Sequence, residues 1–150
     1  FAMGMSDWLE SGVLNFLFRS NTNSFSSPGN ISIALCSGVP QDHHTGANLP
    51  EIVSGVNGIS NGYKRHNLGS PLNATWNEIN SSGFIHNLSD VSFPACANNA
   101  WGVVSGVAIV NHSGFLKGQV LFHGTLAEAR SIGTGDVFKI NTGDLDINLF

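Results

Sequence analysis

Beyond its first twenty or so residues the chain has no segment that reads as a crossover helix, and this restricts its fold more than any other feature. Parallel strands must be joined by a dozen or more residues, usually helical, whereas antiparallel strands need only tight turns. From Asn30 onward, apolar residues alternate or run in short blocks between clusters of Gly, Asn, Ser and Pro, which is the punctuation of turns. In "NISIALCSG", Ile31, Ile33 and Leu35 alternate with Ser32, Ala34 and Cys36, the period of a strand. "WGVVSGVAIVN" has Trp101, Val103, Val107 and Ile109 on one parity and Val104, Ala108 and Val110 on the other. Apolar residues on both faces predict a strand covered from both sides, with Gly102 and Gly106 permitting close approach or a bulge.

The remaining strands are shorter. "GYKRHNLG" reads as a polar edge strand, "NATWNEI" and "GFIHNL" flank a hairpin turn at Ser81-Ser82-Gly83, and "GQVLFHGTL", "DVFKI" and "DLDINLF" close the chain. Residues Val39 to Asn61, with little periodicity, read as a long loop of the functional or interfacial kind. The predicted fold is mainly β: an antiparallel β-sandwich of jelly-roll type with one N-terminal α-helix. Residues 5–150 form a single domain, and Phe1-Ala2-Met3-Gly4 is set apart as a cloning remnant.

The helix is "SDWLESGVLNFLFRS". Ser6 or Asp7 caps it, and Asp7 and Glu10 suit the positive end of its dipole. Leu9, Val13, Phe16 and Leu17 form one apolar face. Trp8, Leu14 and Phe18 widen that face, so a helix covered on more than one side is expected.

Charge narrows the function. Charged residues are 11% of the chain and its net charge is −4, against about 25% charged residues in an ordinary soluble domain. Asn, Ser, Gly and Thr fill the polar positions, as in extracellular or assembled β proteins. Six scattered Lys and Arg give no stripe for nucleic acid. No apolar run approaches the roughly 20 residues of a membrane span, so membrane insertion is not expected, and no signal peptide is read at the N-terminus. Cys36 and Cys96 read as unpaired core thiols, with a disulfide as the alternative.

Thr-Gly-Asp occurs twice near the end, at Thr134-Gly135-Asp136 and Thr142-Gly143-Asp144. A calcium-binding β-roll needs many tandem nonapeptides. A cupin-like reading of "GDVFKINTGDLD" fails on chemistry, because Asp146 stands where a metal-binding His would be. The pair instead predicts structural turns at Gly135, Asp136, Gly143 and Asp144, with Leu145, Ile147 and Leu149 inward and Asp144, Asp146 and Asn148 outward. Asp42-His43-His44 is the one cluster of imidazoles; satisfied or exposed histidines are the simpler expectation. No Gly-x-Ser-x-Gly elbow is present, and no catalytic residue, metal or cofactor is expected. Five Asn-x-Ser/Thr sequons, at Asn30, Asn73, Asn80, Asn87 and Asn111, are ascribed to composition.

The order of "MSDWLESGVLNFLFR", "ISIALCSGVP", "GYKRHNLG", "SDVSFPACANNAWGVVSGVAIVN" and "LFHGTLAEARSIGTGDVFKINTGDLDINLF" resembles a family of small tailed-phage virion proteins of the tail fibre or capsid decoration type. The resemblance covers most of the chain from Met5. It rests on Gly62-Tyr63 and Arg65, Phe93-Pro94, Trp101-Gly102, Leu121-Phe122 and Gly124, and the two Gly-Asp pairs. It implies a non-enzymatic virion component of jelly-roll type that self-associates and attaches to other capsid or tail proteins. Trp8, Phe16 and Phe18 on the helix, with Asp42, His43 and His44 in the long loop, are the candidate interface. The alternative is a receptor- or glycan-binding module in which the Gln41 to Asn61 loop, Tyr63 and Trp76 contact sugar; a degenerate cupin-like metalloprotein ranks third.

Overall fold

The computed structural model describes residues 3–19, 26–72, 74–77 and 83–149. Its elements in chain order are β1 (Gly4–Met5), α1 (Asp7–Phe18), β2 (Ile31–Cys36), β3 (Gly55–Val56), β4 (Ile59–Ser60), β5 (His66–Gly69), β6 (Phe84–His86), β7 (Val91–Ser92), β8 (Gly102–Val110), β9 (Val120–Ile132), β10 (Lys139–Ile140) and β11 (Asp146–Asn148). The chain is mainly β. Every strand pair among the described residues is antiparallel, as a chain without a crossover-helix pattern in its sequence requires.

Five strands form the main sheet in the order β1-β9-β8-β2-β5, and three two-stranded ribbons pair β10 with β7, β11 with β6 and β3 with β4. The two parities of β2 and β8 explain the layering. Ile33, Leu35, Val107 and Ile109 face a core shared with Val91, Phe93, Phe138, Ile140, Leu145 and Ile147 from the β7–β10 and β6–β11 side. Ala34, Cys36, Ala108, Val110 and Val120 face the opposite way and are closed over by Leu49 from the long loop. From Gly106 to Val110 the central strand β8 is therefore buried on both faces, as its sequence predicts. The register shift between Val104 and Gly106 leaves Val103 exposed and puts Val104 into the same core as Val107 and Ile109, against the alternation read from the sequence. At Gly106 the covering chain comes close: a Cβ there would stand 2.5 Å from Cδ of Pro40.

Pairing along β8 and β9 is interrupted. Val104 opposes Arg130 and Gly106 opposes Thr125, so Leu126 to Ala129 face Ser105 alone. This large bulge breaks the outer half of β9 as a pairing edge, a known means of keeping edge strands from recruiting other chains. β5 is the opposite edge, where the sequence places it, but its lead-in is not polar surface, since Tyr63 and Arg65 are both buried.

The long connection is also more ordered than its sequence periodicity indicates. Gly55–Val56 and Ile59–Ser60 pair across Asn57-Gly58, the strongest short hairpin signal there is. Trp76 bridges Asn87, while the turn expected at Ser81-Ser82-Gly83 lies, but for Gly83, outside the described residues. Met3 is buried in the core and Gly4 pairs with His123.

The two Thr-Gly-Asp segments form matching turns. Asp136 N–H donates to the Gly133 carbonyl, and Asp144 N–H donates to that of Asn141. The third residue of each turn has positive φ, 92° at Gly135 and 82° at Gly143, the type II pattern that demands glycine. Each turn is fastened elsewhere: Gly135 N–H donates to the Cys96 carbonyl at 2.7 Å, and Gly143 N–H to the Asn87 carbonyl at 3.0 Å. Leu145 and Ile147 point inward, but Leu149 is exposed. It lies past Asn148↔Phe84, the last pair of the ribbon, so no strand holds it to the core. Asp146 is half-buried, not outward, and its Oδ1 is buried without a hydrogen bond among the described residues.

Candidate assembly interface

Two regions of the structure depart most plainly from the rule of apolar inside and polar outside. The first is α1. Ser6 is the N-cap and is fully buried. Its Oγ accepts from Leu9 N–H at 3.3 Å and donates to the Val120 carbonyl, and its own N–H donates to the Leu121 carbonyl. One residue thus starts the helix and ties it to β9. Asp7 N–H donates to the Asp42 carbonyl at 2.9 Å, which joins the long loop to the same end.

Beyond this anchor the helix sits lightly on the body. Trp8 and Leu9 pack partly against the core, but no residue of α1 is buried. Leu14, Phe16, Leu17 and Phe18 are 57%, 55%, 62% and 78% exposed. Leu14, Leu17 and Phe18 are spaced i, i+3, i+4, so they form one outward stripe, while Phe16 turns toward a groove of about 620 Å³ with Trp8, Leu9, Pro28, Leu121 and Phe122. The expectation of a helix covered on several sides is not met by the described residues: α1 packs against β9 and leaves Leu14, Leu17 and Phe18 exposed.

The predicted interface residues divide between the two ends of this helix. Trp8, Asp42 and His44 lie at the N-terminal end, and Phe16 and Phe18 stand toward the other end, of a helix about 18 Å long. His123 Nε2 is 2.8 Å from Asp42 Oδ1. His43 and His44 have ring centroids 4.5 Å apart, and His44 Nδ1 accepts from Gln41 N–H at 2.9 Å. Burial first, then the neighbouring His43 and His123, hold the His44 imidazole below its ordinary pKa. Among the described residues no group of three or more His, Cys, Asp or Glu is arranged to hold a metal.

The second region is a buried polar hub that the sequence gives no sign of. Arg65 and Glu51 have fully buried side chains and meet in a two-point pair, Nε to Oε1 and Nη2 to Oε2, each 2.8 Å. The other guanidinium donors reach the carbonyls of His112 (2.9 Å), Lys117 (2.7 Å) and Gly46 (3.3 Å), so all five N–H groups of the arginine are used. Tyr63 OH donates to Glu51 Oε1 at 2.8 Å and accepts from Leu35 N–H at 3.0 Å. Burial, and next the Glu51 charge, push the Tyr63 phenol well above its ordinary pKa. Tyr63 also stacks with Phe93 and meets Trp101 edge-on, with centroids 6.4 and 5.4 Å apart, and Trp101 Nε1 donates to the Asn61 carbonyl at 2.8 Å. Buried as it is, Tyr63 is not a sugar contact, which corrects that expectation. Trp76 is half-buried against the core.

The Tyr, Arg, Phe and Trp that carry the sequence resemblance are thus gathered in one internal frame. Cys36 and Cys96 are free and buried. Of the sequons, Asn87 is buried, with Nδ2 bonded to the Ser89 and Asn141 carbonyls and Oδ1 accepting from Gly143 and Leu145 N–H. Asn30 bonds Asn67 and Ser32, and Asn111 accepts from Gln119 N–H; Asn73 and Asn80 lie outside the described residues.

A second exposed apolar surface went unrecognised in the sequence. Val56 and Ile59, paired across the β3–β4 hairpin, are exposed, as is nearby Val53. The Asn-Gly between alternating apolar residues was the signal for it. A family model described as Podophage GP4 fiber I protein gp80 matches residues 4–148. No curated protein matches the chain.

Proposed function

The chain belongs to the podophage GP4 fiber I protein gp80 family, and from that premise we propose that it is a non-enzymatic structural subunit of the tail fibre, a β framework of jelly-roll type joined to neighbouring subunits through the outer face of α1. The protein is a component of the virion, and a virion part must hold other parts. The observation that carries the reading is the stripe of Leu14, Leu17 and Phe18, with Phe16 beside it, on a helix with no buried residue.

Apolar patches of more than a few hundred Å² on soluble proteins mark interaction sites. Fully burying one such side chain contributes about 1.5–3 kcal/mol, so covering the stripe supplies a substantial part of an interface. Copies of the chain in a symmetric oligomer would repeat that contact, and simultaneous contacts add through effective concentration. The β3–β4 hairpin offers a second contact. Its Val and Ile side chains suit a protein surface, in a fibre neighbour or a host receptor, better than a glycan.

Co-sedimentation of the purified protein with tails and with undecorated capsids tests the assignment. Binding to tails but not capsids, abolished in a Leu17→Asp/Phe18→Asp variant, is the expected result. Binding to capsids alone, to neither particle, or equally well by the variant would refute it.

A further inference from the structure

The sequence holds Asn-Gly twice in close succession, at Asn57-Gly58 and Asn61-Gly62. This dipeptide is chemically labile because no glycine side chain shields the following amide nitrogen. That nitrogen attacks the asparagine Cγ, a new N–C bond closes a five-membered succinimide, and the side-chain amide leaves as ammonia, carrying away the proton from the attacking N–H. Water then opens the ring at either carbonyl to give aspartate or isoaspartate. Solvent water is the sole co-reactant, and no oxidation or reduction occurs.

The structure puts the two copies in opposite situations. Asn57 (φ 51°) and Gly58 (φ 78°) are the central residues of the β3–β4 hairpin, between the paired Val56 and Ile59. Both are exposed. Neither the Asn57 side chain nor the Gly58 N–H has a hydrogen-bond partner among the described residues, and a Cβ built on Gly58 meets nothing within 4 Å. Asn61 is fully buried. Its Nδ2 donates to the Val53 carbonyl at 2.8 Å and its Oδ1 accepts from Tyr63 N–H at 3.0 Å. The attacking nitrogen there, Gly62 N, already donates to Ser60 Oγ at 3.2 Å. The Asn61 carbonyl is held by Ala97 N–H and Trp101 Nε1.

We propose that Asn57 is a site of spontaneous deamidation in the folded protein, while the fold keeps Asn61 intact. The aspartate product retains the turn and sets a negative charge beside Val53, Val56 and Ile59. The isoaspartate product puts an extra methylene into a two-residue loop, which cannot keep Val56 opposite Ile59. Either product changes the apolar hairpin with time, whether or not the hairpin is a fibre contact.

The test is to incubate the full-length native protein at neutral to mildly alkaline pH and map it by tandem mass spectrometry, with isoaspartyl methyltransferase labelling. A parallel sample is incubated in denaturant. The expected result is a gain of one mass unit at Asn57 that grows with time and includes isoaspartate, no change at Asn61 in the native protein, and conversion at both sites in the denatured chain. Asn57→Gln removes the native signal, because the longer side chain would have to close a less favoured six-membered ring. An intact Asn57 in the native protein, or an Asn61 that converts as fast, overturns the proposal.

Discussion

The Arg65–Glu51–Tyr63 hub and the α1 helix break the same rule in opposite directions. The hub is polar and dry; the helix is apolar and wet. In the hub every guanidinium donor finds an acceptor within the chain, so the cost of burying charge is offset internally. The helix exposes Leu14, Leu17 and Phe18, which its own chain leaves uncovered among the described residues. The difference teaches that irregularities closed within one chain serve the frame, and those left open serve a partner.

Breaking the hub is expected to cost most. Arg65→Met leaves Glu51 buried with its charge uncompensated and should destabilise by about 3–5 kcal/mol in denaturant unfolding. Adding Glu51→Leu should restore much of that loss, because removing both partners leaves no orphan charge. If the single and double variants are equally unstable, the hub acts by packing and not by charge pairing.

Ser6→Ala comes next, since it removes both the cap and the tether to Val120. A loss of about 1 kcal/mol, within the 0.5–2 kcal/mol of cap deletions, is expected. Hydrogen exchange should quicken in α1 and leave β8 and β9 protected. Uniform quickening would mean that the helix belongs to the frame.

A smaller effect is expected from pH at the helix's N-terminal end. The folded pKa of His44 lies below its ordinary value, so the unfolded chain takes up the proton first as pH falls. The stability that His44 contributes is therefore complete above the ordinary imidazole pKa of about 6.5 and is lost as pH falls toward the folded value. Protonation at Nδ1 would also break the bond accepted from Gln41 N–H. Urea unfolding above and below that pH should show the decline, and His44→Gln should flatten it. Leu17→Asp should matter least to the isolated fold, within about ±0.5 kcal/mol as for open surface positions. A larger loss would show that the outer stripe is covered by the chain itself.

Much of the frame was legible in the sequence. The doubled apolar parity of Val107 to Val110 announced a strand covered on both faces, though not the bulge that exposes Val103, and the Thr-Gly-Asp repeats marked where the chain turns. Ser6 was readable as a cap because capping is a matter of near neighbours. Arg65 was not readable as buried: its type and its place in "GYKRHNLG" both point to solvent, and its partners Glu51, His112 and Lys117 are far along the chain. Leu149 was misjudged because alternation continues past the point where the partner strand ends. The Asn57-Gly58 hairpin signal was present but obscured by the prolines and glycines around it.

By itself the sequence determined the class of fold, antiparallel and mainly β with one leading helix, along with the residues at which the chain reverses. Those depend on periodicity and on backbone conformations that a few adjacent residues dictate. Only the tertiary structure decided the strand order β1-β9-β8-β2-β5, the burial of the arginine and glutamate, and the open face of the helix. Each of these depends on which distant segments meet, and a side chain's surroundings, not its type, set whether its charge or its apolar surface is satisfied.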